Sequence, residues 1–153
     1  MPGPPIPPDL DFAARVRASF ERQGFMASLG AELTVVEPGS CEIRLPYQAG
    51  LSQQHGYFHA GALSSIADSA GGYAAYTLMD ANDSVLSVEF KVNLLAPGRG
   101  DAAVARARVV RSGRTLTVCQ IEVFVEQEGQ ETLCALMQQT VIRMAGRPDT
   151  APA

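Results

Sequence analysis

The sequence predicts an α+β fold in which one long helix precedes a broad antiparallel sheet. Between residues 60 and 79, apolar side chains recur at about 100° per residue, which is typical of an amphipathic helix. From residue 84 onward the apolar spacing changes to two and stays there through four segments separated by short turns. A helix followed by consecutive strands indicates α+β rather than alternating α/β. We expect the four strands to form an antiparallel meander that wraps the helix.

The elements before the long helix are shorter. A short N-terminal helix is predicted at residues 10–23, because apolar residues recur there at every fourth position: Phe12, Val16 and Phe20. Gly24 or Gly30 is expected to end it. Two strands are then predicted at residues 31–37 and 41–46, joined by a turn that contains proline and glycine.

Each later element follows from its own pattern. The buried stripe of the helix at residues 60–79 is predicted to be Leu63, Ile66, Ala67, Ala70, Ala74, Thr77 and Leu78. In the strand at residues 84–93, strict alternation puts Leu86, Val88, Phe90 and Val92 on one face and Ser87, Glu89, Lys91 and Asn93 on the other. Ser112-Gly113 is a two-residue hairpin signal, and Gly129 marks a second turn. These turns separate the last three predicted strands, at residues 101–111, 114–126 and 131–144.

Length and composition bound the class of protein. A chain of 153 residues with 46% apolar and 18% charged residues predicts one globular domain, which we place at residues 9–144. The proline-rich residues 1–8 are expected to be disordered, and residues 145–153 are expected to form a flexible tail. The net charge of −4 argues against a general nucleic-acid binder.

The sequence also argues against a membrane or secreted protein. It has no run of about 20 apolar residues, which a membrane-spanning helix needs. We expect no signal peptide, because the N-terminus has neither a basic nor an apolar region. The cysteines are odd in number and lack metal-type spacing, which favours reduced thiols in the cytoplasm: Cys41, Cys119 and Cys134.

Asp68 is the first candidate catalytic residue. It lies about 140° around the predicted helix from Leu63, on a face of small residues: Gly61, Ser65, Gly72 and Ala75. No Lys or Arg lies three or four residues away, although solvent faces of helices more often carry long charged side chains. Many helical acids are simple surface residues. A carboxylate in partly dry surroundings, however, is a better nucleophile or general base than a hydrated one.

The loop before the long helix contains both histidines, His55 and His59. Two histidines four residues apart on a helix can share a metal ion, but this pair precedes the helix and has Gly56 between its members. We therefore expect no metal. His59 is assigned a structural role, in which it hydrogen-bonds the loop that enters the helix.

The start of the long helix offers a second kind of chemistry. Ala60 and Gly61 occupy its first turn, where backbone N–H groups have no partner within the helix. Such donors can polarise a carbonyl oxygen, which is the requirement for an oxyanion hole. Further along, Gly71-Gly72 costs about 2 kcal/mol relative to two alanines in mid-helix. A close neighbour, either the sheet or a substrate, would explain that cost.

Two arginines flank the predicted hairpin tip in the segment Arg111-Ser112-Gly113-Arg114. Arginines in such a place can protect a sheet edge and aid solubility. Alternatively, their forked guanidinium groups can bind phosphate oxygens. The sequence contains no phosphate loop, dinucleotide fingerprint or nucleophile-elbow motif.

Three blocks of this sequence resemble the PaaI-like hotdog-fold acyl-CoA thioesterases. The first runs from Gln53 through His59-Ala60-Gly61 to Ala70, and the others are residues 87–97 and 109–116. The resemblance implies a hotdog fold, in which an antiparallel sheet wraps one long central helix. It also implies a homo-oligomer that forms edge to edge, as a dimer or as a dimer of dimers, that is, a homotetramer.

The resemblance further implies roles for individual residues. The helix acid, Asp68, acts as nucleophile or general base on the thioester carbon. The backbone N–H of Ala60 donates to the thioester oxygen, together with the neighbouring Gly61 at the helix start. Gln53 helps to position the water or the carbonyl group, and Ser87 helps to orient the attacking water.

Two further points concern positions that vary within the family pattern. Arg111 and Arg114 are candidates for contacts with the CoA phosphates. Some relatives carry Thr or Ser where this chain has Gly72, one turn after the acid. If such a hydroxyl were required, Ser87 would have to supply it.

The expected function is hydrolysis of a small aryl- or medium-chain acyl-CoA to the carboxylic acid and CoA. No cofactor is expected, since CoA is part of the substrate. Two alternatives stay open: a non-catalytic acyl-CoA-binding protein, and a hotdog dehydratase or hydratase, which also uses a histidine and an acid. Aromatic residues near the site would suit an aryl or medium acyl group, but could equally be core or interface residues: Tyr57, Phe58, Tyr73 and Tyr76.

Overall fold

A computed structural model describes residues 5–150 of the protein. The helices are α1 (Phe12–Glu21), α2 (Gly24–Leu29) and α3 (Ala60–Tyr76), and a 3-10 turn spans Ala49–Leu51. The strands are β1 (Glu32–Glu37), β2 (Ser40–Pro46), β3 (Ser84–Leu94), β4 (Ala102–Ser112), β5 (Leu116–Gln127) and β6 (Gln130–Met144). They form one antiparallel sheet in the order β1-β2-β4-β5-β6-β3.

Helix α3 packs on the sheet and contacts β2, β4, β5, β6 and β3. Its buried stripe consists mainly of small and branched residues, including Leu63, Ile66, Ala67, Ala70 and Ala74. These meet buried apolar side chains of the sheet, including Ile43, Ile121, Val123 and Met137. Alanines bring the helix close to the sheet, which supports dense packing of the core. The predicted α+β architecture, one long helix on an antiparallel sheet, is confirmed.

Strand β3 is not the first strand of a four-stranded meander. It pairs with β6 at the edge of the sheet, while β4, β5 and β6 form a meander of three. Residues 95–101 carry the chain across to β4 instead of making a hairpin, and Gly98 accepts a hydrogen bond there from Phe58 N–H over 2.8 Å. The predicted four-strand order was wrong, because period-two patterns identify strands without identifying their neighbours.

A β-bulge interrupts the pairing of β3 with β6. Ser87 pairs with Val141 and Glu89 pairs with Thr140, so Val88 is the extra residue. As a result, Ser87 and Phe90 lie on the same face of the sheet, which is the face toward α3. Strict alternation had separated these two residues, and that prediction was wrong beyond the bulge.

Several boundaries differ from those predicted. The N-terminal helix ends at Glu21, and α2 follows it as a separate helix that ends at Leu29 and is capped by Gly30, which has φ of 76°. Helix α3 ends at Tyr76, before the predicted residue 79. In the hairpin between β4 and β5, Gly113 N–H donates to the Leu116 carbonyl over 2.8 Å, so the tip lies at residues 114–115 and β5 begins later than predicted.

The terminal segments have no helix or strand within the described residues 5–8 and 145–150. The C-terminal segment nevertheless contacts the domain. Gly146 N–H donates to Asp83 Oδ1 over 3.0 Å, and Arg22 of the loop after α1 forms an ion pair with Asp149. The predictions for residues 1–4 and 151–153 lie outside the described residues. No helix within residues 5–150 combines the length and apolar character needed to cross a membrane.

Candidate active site

Two donors from neighbouring strands hold the carboxylate of Asp68. Ser87 Oγ on β3 donates to Asp68 Oδ1 over 2.6 Å. Gln139 Nε2 on β6 donates to the same oxygen, also over 2.6 Å. Among residues 5–150, no donor lies within hydrogen-bond distance of Oδ2. The carboxylate is therefore anchored through one oxygen, and the other is available to the adjacent cavity.

Gln139 is missing from the sequence predictions. Its side chain is fully buried on the inward face of β6, where the alternate residues are otherwise apolar: Ala135, Met137 and Val141. Its Nε2 also lies 3.0 Å from the Asp68 carbonyl oxygen and 3.2 Å from Ser87 Oγ. The available signal in the sequence was a polar residue that interrupts an apolar period of two.

The two adjacent glycines of α3 have different environments. A Cβ on Gly71 would lie 1.9 Å from Gln139 Oε1 and 2.9 Å from Ile121 Cδ1. A Cβ on Gly72 would have no atom within 4 Å, and Gly72 borders the cavity beside Asp68. The close neighbour predicted for this pair is thus a sheet side chain at Gly71, and open cavity space lies at Gly72.

A cavity of about 570 Å³ opens beside Asp68, and we call it the acid cavity. Residues of α1, α3, β3 and the C-terminal segment line it, including Ser19, Gln23, Ser69, Val85 and Thr150. The hydroxyl of Tyr73 also lines it and forms hydrogen bonds with Ser19 and Gln23, and burial raises the pKa of Tyr73. Arg22 and Asp149 lie at the same cavity and form an ion pair, so their charges offset each other.

His59 caps the N-terminus of α3. The ring Nδ1 of His59 accepts the Gly61 N–H over 2.8 Å, and the backbone N–H of His59 donates to the Leu51 carbonyl over 2.8 Å. Gly61 N–H is therefore already paired, which differs from the expectation that it donates to a substrate oxygen. Ala60 N–H has no acceptor within residues 5–150, so it is the donor that this helix terminus leaves free.

Ala60 borders a second cavity of about 460 Å³, which we call the amide cavity. Its lining is mostly apolar and includes Tyr57, Phe58, Leu63, Leu94 and Leu95. Gln53 lies there as well, and its side-chain carbonyl accepts the His55 N–H, which leaves the amide NH₂ group for other partners. His59 and Gly61 line neither cavity; they border a third, smaller one of about 240 Å³.

The predicted residues that would contact the thioester fall into two groups within one chain, apart from His59 and Gly61 at the third cavity. Asp68 and Ser87 border the acid cavity, whereas Ala60 and Gln53 border the amide cavity. Asp68 lies eight positions after Ala60 in α3, which corresponds to about 12 Å along the helix. A single thioester group cannot contact both within one chain.

The two predicted phosphate-binding arginines lie elsewhere. Arg111 and Arg114 are exposed at the β4–β5 hairpin and border none of the three cavities described. Arg111 lies on β4, three strands from the β3 strand that carries Ser87, or about 14 Å across the sheet.

Other candidate chemistries have little support near Asp68. Cys119 Sγ lies 3.4 Å from the Gly71 carbonyl, but burial raises the pKa of Cys119 to about 12. It stays a neutral thiol at neutral pH, and a neutral thiol is a poor nucleophile. Within the described part of the chain, no three His, Cys, Asp or Glu residues are grouped so as to hold a metal ion.

Comparison with known proteins identifies the family. A family model described as the thioesterase superfamily matches residues 55–132, about half of the chain. The solved structure of a thioesterase family protein from Silicibacter pomeroyi is 46% identical, with a TM-score of 0.86, and the match covers 87% of this chain and 98% of that one. A protein of Saccharolobus solfataricus, provisionally named an esterase, is 32% identical over 67% of this chain and 71% of its own length.

Escherichia coli PaaI is similar to this chain in both sequence and structure. Its sequence, named acyl-coenzyme A thioesterase, is 28% identical over 72% of this chain and 78% of its own. The structure of the E. coli PaaI protein has a TM-score of 0.79 at 24% identity, covering 90% of this chain and 96% of that one. The predicted hotdog fold is confirmed by these neighbours. The chain therefore belongs to the thioesterase superfamily, as a PaaI-like member with the hotdog fold.

Proposed function

We propose that the protein is an acyl-CoA thioesterase, which hydrolyses an acyl-CoA to a carboxylic acid and free CoA. The observation that carries this proposal is the Asp68 carboxylate, anchored through Oδ1 by Ser87 and Gln139 with Oδ2 free beside a cavity. A carboxylate held in this way can attack a thioester carbon, or it can take a proton from an attacking water. The relative named acyl-coenzyme A thioesterase supports a CoA thioester as the substrate class.

The proposed working unit is a homodimer joined through β3. This strand lies at a sheet edge, so a row of its backbone groups has no partner in the sheet of one chain. It also exposes large apolar side chains, with Leu86, Val88, Phe90 and Leu94 between 47% and 57% exposed. Antiparallel pairing of two β3 strands would continue the sheet and cover these side chains. A dimer of dimers would then give the homotetramer that the family resemblance implies.

Such a dimer would combine the two groups of site residues. Ser87, at the acid cavity, lies near the start of β3, and Leu94, at the amide cavity, is its last residue. Antiparallel pairing puts the start of one strand opposite the end of the other. Asp68 of one protomer would then face Ala60 of the other, which overcomes their separation within one chain.

In the proposed reaction, the thioester oxygen accepts a hydrogen bond from Ala60 N–H, and Gln53 orients the carbonyl group or the water. Asp68 either takes a proton from the water that attacks the carbonyl carbon, or attacks that carbon itself and forms a mixed anhydride, which water then hydrolyses to release the acid and free Asp68. In both routes the C–S bond breaks, and the CoA thiolate leaves and takes up a proton. Water supplies the second oxygen of the acid, and we expect no metal or organic cofactor.

The proposed substrate is a small aryl- or medium-chain acyl-CoA. Tyr73 at the acid cavity, and Tyr57 and Phe58 at the amide cavity, offer aromatic surface to such a group. Arg111 and Arg114 are the proposed contacts of the CoA phosphates, because they are exposed and not engaged in ion pairs within residues 5–150. The proposed location is the cytoplasm, in keeping with the unpaired cysteines.

Substitution of Asp68 tests the proposal directly. Asp68→Asn keeps the shape of the side chain but removes its charge, so we expect kcat to fall at least about 10²-fold. The readout is release of free thiol from phenylacetyl-, hydroxybenzoyl- and straight-chain CoA esters. Asp11→Asn, at an exposed residue that caps no helix through its side chain, serves as the control and should retain full activity.

Near wild-type thiol release by Asp68→Asn across this panel would refute the assignment of Asp68. Binding of the esters by the wild-type protein without thiol release would instead identify a non-catalytic acyl-CoA-binding protein. A dehydratase would need its histidine beside the substrate and the acid, but His59 borders a different cavity from Asp68. Hydration of an enoyl thioester measures that activity, and we expect none.

A further inference from the structure

We propose that Gln139 is a positioning residue for the catalytic carboxylate. Its amide holds Asp68 in the orientation that leaves Oδ2 free to react, so the inference rests on the proposed function of Asp68. Gln139 is fully buried and is not among the residues that line the acid cavity. It therefore acts through Asp68 and not on the substrate.

The oxygen atoms of Asp68 determine which end of the amide faces them. Nε2 of Gln139 lies 2.6 Å from Oδ1 and 3.0 Å from the carbonyl oxygen of Asp68. A carbonyl oxygen in that place would face two acceptors and would have no proton to share with them. The NH₂ group must therefore point toward Asp68 and donate to its carboxylate and its carbonyl oxygen.

The oxygen at the other end of the Gln139 amide makes no such hydrogen bond. Gln139 Oε1 is buried, and no donor lies within hydrogen-bond distance of it among residues 5–150. The missing Cβ of Gly71 leaves the space that this oxygen needs. A buried acceptor without a donor destabilises a fold, so an apolar side chain would serve packing better at this position. The advantage of Gln139 at this position is therefore the hydrogen bond that its Nε2 donates to Asp68.

Gln139 and Ser87 act on the same atom. They lie on hydrogen-bonded neighbouring strands, β6 and β3, so the spacing of their two donors is set by the sheet. The other charged side chains at the described acid cavity, Arg22 and Asp149, pair with each other. Within the described residues, neutral donors thus hold the Asp68 carboxylate.

Gln139→Met tests this inference, because methionine has a similar length and shape but no donor. We expect kcat to fall about 10- to 100-fold with KM changed less than about threefold. The melting temperature should fall by no more than about 3 °C, since Oε1 already lacks a partner. Gln139→Leu, which also lacks the donor, should behave in the same way.

Gln138→Met is the matched control, since Gln138 is the preceding residue of β6 and is exposed on the other face. It should leave kcat and KM unchanged. The double variant Ser87→Ala/Gln139→Met should lose less activity than the product of the single losses, because both donors act on Oδ1.

An unchanged kcat in Gln139→Met, alongside an inactive Asp68→Asn, would overturn the inference and leave the proposed function standing. Independent losses in the double variant would also contradict it. If Asp68→Asn itself hydrolysed the esters normally, the proposed function would fail, and the role of Gln139 would fail with it.

Discussion

Ala60 is a residue whose proposed role depends on its backbone alone. It is the first residue of α3, and the next N–H along the chain is taken by His59. Proline is well tolerated at the first position of a helix, because its ring fixes a suitable φ and its missing N–H breaks no helical hydrogen bond. His59 already has the extended conformation required before proline, with φ of −65° and ψ of 138°. A proline here removes one N–H group and keeps the helix.

Ala60→Pro is therefore expected to lower kcat about 10²- to 10³-fold, because the thioester oxygen loses its donor. The melting temperature should stay close to that of the wild type. Ala60→Ser retains the N–H group and should keep activity within a few-fold in the same thiol-release assay. Wild-type turnover in the proline variant would mean that the oxyanion donor lies elsewhere.

At the scale of single residues, the sequence identified some residues of the candidate site and missed others. Asp68 stood out because its helix face is made of small residues, and Ser87 stood out only through the family resemblance. Gln139 could not be found in this way, because its meaning depends on a strand pairing that joins it to residues 71 positions away. The sequence predicted a free N–H group for Gly61. In the structure the His59 ring accepts that N–H group, and the orientation of the ring could not be predicted from the sequence.

At the scale of the element, α3 carries two adjacent glycines whose replacement should have opposite effects. Gly71→Ala should lower the free energy of unfolding by about 1–3 kcal/mol, because its Cβ would overlap Gln139 Oε1. Gly72→Ala should raise it by about 0.5–1 kcal/mol, because alanine favours the helix and meets no atom within 4 Å. Denaturant unfolding of the two variants and the wild type measures both changes.

The contrast between the two variants also serves as a control. Both change a helical glycine to alanine, so their difference reports the close approach at Gly71 and not helix propensity. Equal effects of the two substitutions would contradict the overlap with Gln139.

The elements themselves were largely predictable, because each depends on a local pattern of apolar residues. Two features of β3 were not. Its pairing with β6 depends on the path of residues 95–101, and its bulge at Val88 depends on the partner strand. Both are properties of the sheet as a whole, so neither could be predicted from the alternation within residues 84–93.

At the scale of the whole molecule, the β3 edge should determine both assembly and activity. Val88→Lys places a charge at the bulge of this edge strand, where lysine opposes strand addition. We expect a folded monomer with kcat reduced at least about 10²-fold, because each proposed site needs two chains. Light scattering after size-exclusion chromatography gives the assembly, and the thiol-release assay gives the activity.

Thr34→Lys is the matched control for this variant. Thr34 lies at the register shift of β1, the opposite edge strand of the same sheet, and is also exposed. It should remain oligomeric and active. A monomeric Val88→Lys protein with full activity would show that one chain holds a complete site.

The separation of about 12 Å along α3 between Ala60 and Asp68 predicts how two mutant alleles behave together. If each site takes its acid from one chain and its amide from another, alleles encoding Asp68→Asn and Ala60→Pro are each null alone. A mixed dimer contains one site with both defects and one with neither. Random assortment of equal amounts of the two chains would then restore about one quarter of the wild-type sites. Two loss-of-function alleles of this gene should complement each other in the same cell.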